Sequence, residues 1–203
     1  MSSSDVIPDK EWYESEYNPR LSEITTIEEM EHLWFVKQHR YMGRLARWFS
    51  NTKIYGNVLE MGFNDCKTIA FLLDNYEHIE VDAFDWNEST RPFTEAFKRV
   101  HPRMGRFSFC DCSNLPYEDN RFDFVTALDF FEHIEPSKYY KCISEVYRVT
   151  KPRGRIFVYF GTSKSDPAHI NLKSVSECIK DMEGQKFEFE SVKDGMITFR
   201  NSK

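Results

Sequence analysis

The sequence predicts an α/β domain built on a doubly wound, mostly parallel seven-stranded sheet with an antiparallel last strand and an N-terminal helical cap. Three observations carry this. Short apolar strands alternate with helix-patterned stretches from residue 51 onward. Three of the first four strands run into an acid, at Asp85, Asp111 and Asp129, and the other runs into Gly62. The chain finishes with two strands around Asp194-Gly195, a hairpin turn signal.

The elements follow in order. Residues 1–24 are polar, with Pro8 and Pro19, and read as an irregular arm; residues 25–203 form one domain. A helix over 25–50 opens with capping-box spacing at Thr25 and Glu28 and carries Ile27, Met30, Trp34, Tyr41, Leu45 and Trp48 on one face. Its other face bears Lys37, Arg40, Arg44 and Arg47 and is expected to be solvated. With Trp34, Phe35 and His39 it forms a cover or lid over the α/β core of 51–203.

In that core, strands are expected at 57–61, 80–84, 106–110, 122–127 and 155–160, with the hairpin at 186–192 and 196–200. Helices are expected at 67–73, 89–100, 137–149 and 172–182. Pro152-Arg153-Gly154 should stop the helix at 137–149 as a turn.

Composition removes several function classes. No apolar run approaches the ~20 residues of a membrane span. With 27 Lys and Arg against 33 Asp and Glu, the net charge of −6 argues against nucleic acid as a partner. The five cysteines have no metal-ligand spacing and read as small buried hydrophobes in a reducing cytoplasm, so no metal site is expected.

In a doubly wound sheet the ligand lies beyond the carboxyl ends of the strands. That rule selects Gly62 to Cys66, Asp85-Trp86, Asp111-Cys112 and Leu128-Asp129. Asp85 follows Gly62 at about the 20-residue interval at which a carboxylate grips a ribose hydroxyl pair. Asp111 suits an exocyclic amine such as that of adenine, so together the two suggest an adenosine pocket.

The same residues carry a resemblance. Val58-Leu59-Glu60-Met61-Gly62, Val81-Asp82-Ala83-Phe84-Asp85, the block from Asn114-Leu115-Pro116-Tyr117 to Asp123, and Leu128-Asp129-Phe130-Phe131-Glu132-His133 look like class I S-adenosylmethionine-dependent methyltransferases. The resemblance implies S-adenosylmethionine as cofactor and a Rossmann-like methyltransferase fold. It implies that Glu60, Gly62 and Asn64 shape the turn around the methionine part, and that Asp85 binds the ribose with Trp86 against the adenine face. Asp111 and Cys112 would meet the adenine edge, and the Leu128 backbone the methionyl amine region.

The family's first loop usually has three glycines at alternate positions, whereas this one reads Gly62-Phe63-Asn64-Asp65-Cys66. Asn64 is able to keep a positive φ. Cys66 is expected to place a side chain where the backbone should approach the ligand. The alternative reading is therefore a degenerate binding or scaffold protein with the fold and no turnover.

On the acceptor side, the Gly-x-Asn-Asp loop resembles methyltransferases of nucleotide sugars. Glu31 to Phe35 and Asp166 to Asn171 resemble segments in enzymes of glycan assembly. A small acceptor is implied, with a sugar or glycan-precursor hydroxyl as its class. His133 is the expected general base, His169 the second candidate, and Asp129 the group that orients either one.

Overall fold

The computed structural model describes residues 39–203 together with Glu23, Ile24, Thr26, Glu28 and Glu29. The expected arm, the face formed by Ile27, Met30 and Trp34, and the segment from Glu31 to Phe35 lie outside the described residues. Thr26 and Glu29 exchange the reciprocal hydrogen bonds of a capping box at 3.3 and 3.0 Å, one residue beyond the expected pair.

The described elements are α1 (His39–Phe49), β1 (Gly56–Met61), α2 (Lys67–Asn75), β2 (Ile79–Asp85), α3 (Arg91–Val100) and β3 (Met104–Phe109). They continue as β4 (Phe122–Leu128), α4 (Pro136–Val149), β5 (Thr150–Tyr159), α5 (Val175–Gly184), β6 (Phe187–Lys193) and β7 (Met196–Asn201). Sheet order is β3-β2-β1-β4-β5-β7-β6, with β7 antiparallel to both its neighbours. That is the expected fold. Strand order reverses between β1 and β4, which pair in parallel.

Alternation along the strands divides the core between the two faces of the sheet. Val58, Phe124 and Phe157 pack with Leu45, Trp48, Ile69, Leu72, Phe93 and Phe97, so α1, α2 and α3 cover one face. Leu59, Val125 and Ile156 pack with Ile143, Val146, Cys178 and Met182, so α4 and α5 cover the other. Four cysteines are buried, Cys110 is half-buried and all five are free thiols.

Three local expectations are corrected. Pro152-Arg153-Gly154 does stop α4, but it lies inside β5 as an irregularity between Thr150 and Arg155, with Arg153 at φ 61°. The last helix starts at Val175 because Ser174 and Glu177 close a capping box there. Arg44 is not on a solvated face. It is half-buried, with its guanidinium 5.4 Å from the Trp48 ring and 5.1 Å from that of Tyr159.

The Asn114–Asp123 block is clamped from α4. Glu145 accepts from the Leu115 amide at 2.8 Å. Arg148 donates to the carbonyls of Tyr117 at 2.7 Å and Leu115 at 3.0 Å, and pairs with Glu145 and Asp119. The clamp ties the segment between β3 and β4 to α4.

Candidate active site

A cavity of about 620 Å³ opens at the carboxyl ends of β1, β2 and β4, over the point where strand order reverses. Glu60, Gly62, Asn64, Asp85, Trp86, Asp111, Cys112, Leu128, Asp129, His133 and His169 all line it. Every site residue singled out from the sequence is therefore brought to one space.

At one end the β1–α2 loop turns through three left-handed residues, Gly62 (φ 70°), Asn64 (42°) and Cys66 (57°). These are the alternate positions at which the resemblance leads one to expect glycine. The backbone thus keeps the glycine conformation without the glycines, at about 1–2 kcal/mol for each non-glycine residue. The Cys66 side chain is fully buried in the core beneath α2 and does not line the cavity, so the expected obstruction is absent. Gly62 is required on a second count: a Cβ there would stand 2.6 Å from the Phe130 ring.

Asp85 ties this loop to the end of β2. Its carboxylate accepts from the Asn64 amide at 3.2 Å and the Asn87 amide at 3.0 Å, leaving further lone pairs toward the cavity. Burial raises the Asp85 carboxyl above its usual range, and these amides oppose the rise. Glu60 is buried at the end of β1 against Thr126. Burial pushes its carboxyl to about 8 despite hydrogen bonds from Thr126 and Thr68, so at neutral pH it is mostly a neutral acid.

Asp111 sits at the exposed rim. Its carboxylate accepts from Lys138 at 2.7 Å and the Ser113 amide at 2.8 Å. Desolvation alone would raise it, but these partners outweigh that and hold it at about 2.

The other end is built from β4, the turn that follows it, and the 163–171 loop. Asp129 takes φ 50° at the end of β4, its amide donating to the Tyr159 carbonyl at 2.9 Å. Burial raises its carboxyl, while the charges of Arg44, Lys67 and His169 lower it. The His133 and His169 rings meet edge to face at 4.9 Å. Nδ1 of His133 donates to the Ala168 carbonyl at 3.1 Å and Nδ1 of His169 to the Ser163 carbonyl at 2.7 Å. Burial pushes His133 down to about 4, with the His169 charge acting in the same direction, so the ring is neutral at physiological pH.

The site's location and its strand-end acids agree with a nucleotide-type cofactor, and the sequence comparison points to a family. Residues 59–158 match the family profile described as a methyltransferase domain. That match, over just under half of the chain, supports a class I S-adenosylmethionine-dependent methyltransferase. One curated relative of this chain, a ubiquinone/menaquinone biosynthesis C-methyltransferase of Desulfotalea psychrophila, is 29% identical over 100 residues. The match takes in 49% of this chain and 39% of the relative, so the chain spans about two-fifths of that relative's length.

Solved structures agree on the fold. A Burkholderia thailandensis 1,6-didemethyltoxoflavin-N1-methyltransferase, with 1,6-didemethyltoxoflavin and S-adenosylhomocysteine bound, superposes with a TM-score of 0.69 at 17% identity, covering 97% of this chain and 92% of that one. A Pyrococcus horikoshii protein gives 0.68 at 20% identity, covering 96% and 100%.

Several residues of the cavity are not marked by the sequence. Tyr41, read as part of an apolar helix face, lines the cavity with its ring 4.4 Å from the Lys67 ammonium. Burial raises its hydroxyl well above the usual range, helped by the negative field of Asp129 and Glu60. Lys67 and Lys138 also line the cavity and carry no signal beyond helix composition. Among the described residues, no helix is long and apolar enough to cross a membrane.

Proposed function

We propose that this chain transfers a methyl group from S-adenosylmethionine to the hydroxyl oxygen of a small, sugar-like acceptor. The observation that carries the reading is the single cavity with two chemically distinct ends, Asp85 and the left-handed loop at one, Asp129 with two histidines at the other. The bound S-adenosylhomocysteine and small heterocycle of the Burkholderia neighbour support a small acceptor here too. The Asp166 to Asn171 segment, which resembles glycan-assembly enzymes, forms part of the wall through Asp166, His169 and Ile170.

The residues present fit the cofactor. Asp85 has lone pairs to accept from a ribose hydroxyl pair, Trp86 offers an aromatic face, and the rim at Asp111 and Cys112 suits an adenine edge. The acids around the cavity suit a ligand that carries a sulfonium and an ammonium. When bound, S-adenosylmethionine supplies an electrophilic methyl with a good leaving group. What remains for the chain is alignment, for which proximity alone supplies about 7–11 kcal/mol.

Asp129 is the proton acceptor in this reading. Burial lifts its carboxyl toward the working pH, which is the direction a general base needs. Burial leaves His133 weakly basic at about 4; with Nδ1 donating to Ala168, its Nε2 is an acceptor for a neighbouring hydroxyl of the sugar-like acceptor, not for the one whose proton Asp129 takes. His169, with Nδ1 on the Ser163 carbonyl, lines the facing side, and Tyr41 closes the cavity next to them.

The test is titration calorimetry of the protein with S-adenosylmethionine, repeated with Asp85→Ala, followed by a screen of sugar-like and other hydroxylated acceptors. Saturable binding that the variant sharply weakens supports the reading. A folded sample that does not bind at millimolar ligand sinks it.

A further inference from the structure

Among the described residues, one group of side chains is close enough to hold a metal ion: Glu132, His133 and His169. One donor atom from each lies within 4.8 Å of the other two. Glu132 is fully buried in the turn after β4. Its Oε1 accepts from the Gly161 amide, while Oε2 has no hydrogen-bond partner from another residue. A buried acid oxygen with no partner from another residue is costly, and native folds rarely leave one so.

The two imidazoles are oriented as metal ligands are. A carbonyl can only accept, so Nδ1 must carry the proton in both rings, on Ala168 for His133 and on Ser163 for His169. In the tautomer that these bonds select, Nε2 is the nitrogen able to ligate an ion. Ligating histidines are held this way, their second N–H fixed on a carbonyl or carboxylate. The loop that supplies these carbonyls is pinned in turn. Asn171 donates its amide to the Glu132 carbonyl at 3.0 Å and its side chain to the Phe131 carbonyl at 3.2 Å.

Gly161 lets the group assemble. A Cβ at that position would run into Glu132 Oε1 and stand 3.2 Å from His169 Nε2, so the carboxylate and the imidazole meet over a bare backbone. Asp166 stands beside His169, with Oδ2 3.7 Å from its Nε2.

We propose that Glu132, His133 and His169 form a binding site for one divalent transition-metal ion of the zinc class, at the acceptor end of the cavity. Two imidazoles and one carboxylate are a zinc-type donor set that leaves a position open toward solvent or substrate. Ligand atoms at about 2.0–2.2 Å from such an ion stand about 3.3 Å apart, so side-chain rotations of about an ångström close the group. The open position faces the cavity that His133, Asp166 and His169 line. Resting on the methyltransferase reading, the inference adds a function for the ion: to hold the acceptor oxygen and make its proton easier for Asp129 to take.

The experiment uses the full chain, stripped with chelator and dialysed, without cofactor or acceptor. Co²⁺ is titrated and read by visible absorption, and Zn²⁺ by calorimetry. One equivalent should bind saturably, with His133→Ala and His169→Ala each weakening it about 10-fold or more. His78→Ala, at the exposed opposite end of the sheet, should bind as the parent does. Glu132→Gln should weaken binding similarly; if it fails to fold, the two histidine variants decide. No saturable uptake by folded protein, or uptake unchanged in the double histidine variant, overturns the site. S-adenosylmethionine binding is measured separately on the same preparation, so failure of the metal site and failure of the methyltransferase reading are told apart.

Discussion

The two ends of the cavity are made in different ways. The cofactor end is assembled from strand termini: Gly62 after β1, Asp85 at the end of β2 and Asp111 just beyond β3, each placed by its own strand in the sheet. The acceptor end is assembled across the chain, from Tyr41 on α1, Asp129 and His133 after β4, and His169 in the loop after β5. Strand termini are rigid and lie next to one another by topology. The acceptor end depends instead on hydrogen bonds between loops, such as His133 to Ala168 and Asn171 to Phe131. Catalytic chemistry on loops held by a rigid sheet is a division that lets one fold serve many acceptors.

That contrast can be broken experimentally, beginning with the largest effect. Asp129→Asn should lower methyl transfer to an acceptor found in the screen by about 100-fold while leaving the dissociation constant for S-adenosylmethionine within about threefold. Steady-state kinetics beside calorimetry reads both, and an equal loss in each would erase the distinction between the ends. Asp85→Ala is the converse. Losing hydrogen bonds from a charged group, and with them the anchor of the Asn64 amide, should weaken cofactor binding by about 3 kcal/mol, on the order of 100-fold.

Arg148→Ala tests the scaffold. It removes the clamp on Leu115, Tyr117 and Asp119, and urea unfolding should show a loss of about 2 kcal/mol.

Glu60→Gln probes a protonation. The folded-state value of about 8 lies above the usual 4.5, so the native state holds a proton that the unfolded chain has released. The stabilisation from this group is complete below about pH 4.5 and is lost as pH rises toward about 8. Urea unfolding across that window should show stability falling less steeply with pH in the variant than in the parent.

The smallest effect is expected at Cys66→Gly. Glycine relieves the left-handed strain but gives up a buried thiol, so stability should shift by less than about 1 kcal/mol and cofactor affinity by less than about threefold. A large gain in affinity would mean that the side chain does obstruct the loop.

The fold was legible because its signals are local. Alternation in Val58-Leu59 and Phe124-Val125 assigns the two faces of the sheet, and Asp194-Gly195, both at positive φ, mark the hairpin that sets β7 antiparallel. The strand-end acids could be listed before the structure, since topology alone sends them to one edge. Arg44 and Tyr41 could not. On a helical wheel they are a charge and an apolar residue, and only the docking of α1 beside Tyr159 and Asp129 turns them toward the site.

Cys66 shows the same division at a single residue. Its sequence position determined that the loop must turn left-handed there. The rotation of α2 onto the sheet, a matter of packing, decided that the thiol enters the core and not the cavity. The Glu132, His133 and His169 group is the longest-range case. Strand and helix patterns follow from period and propensity, which a sequence carries within a few residues. The meeting of residues 132 and 169 over Gly161 depends on where two loops close against each other, and only the tertiary structure holds that information.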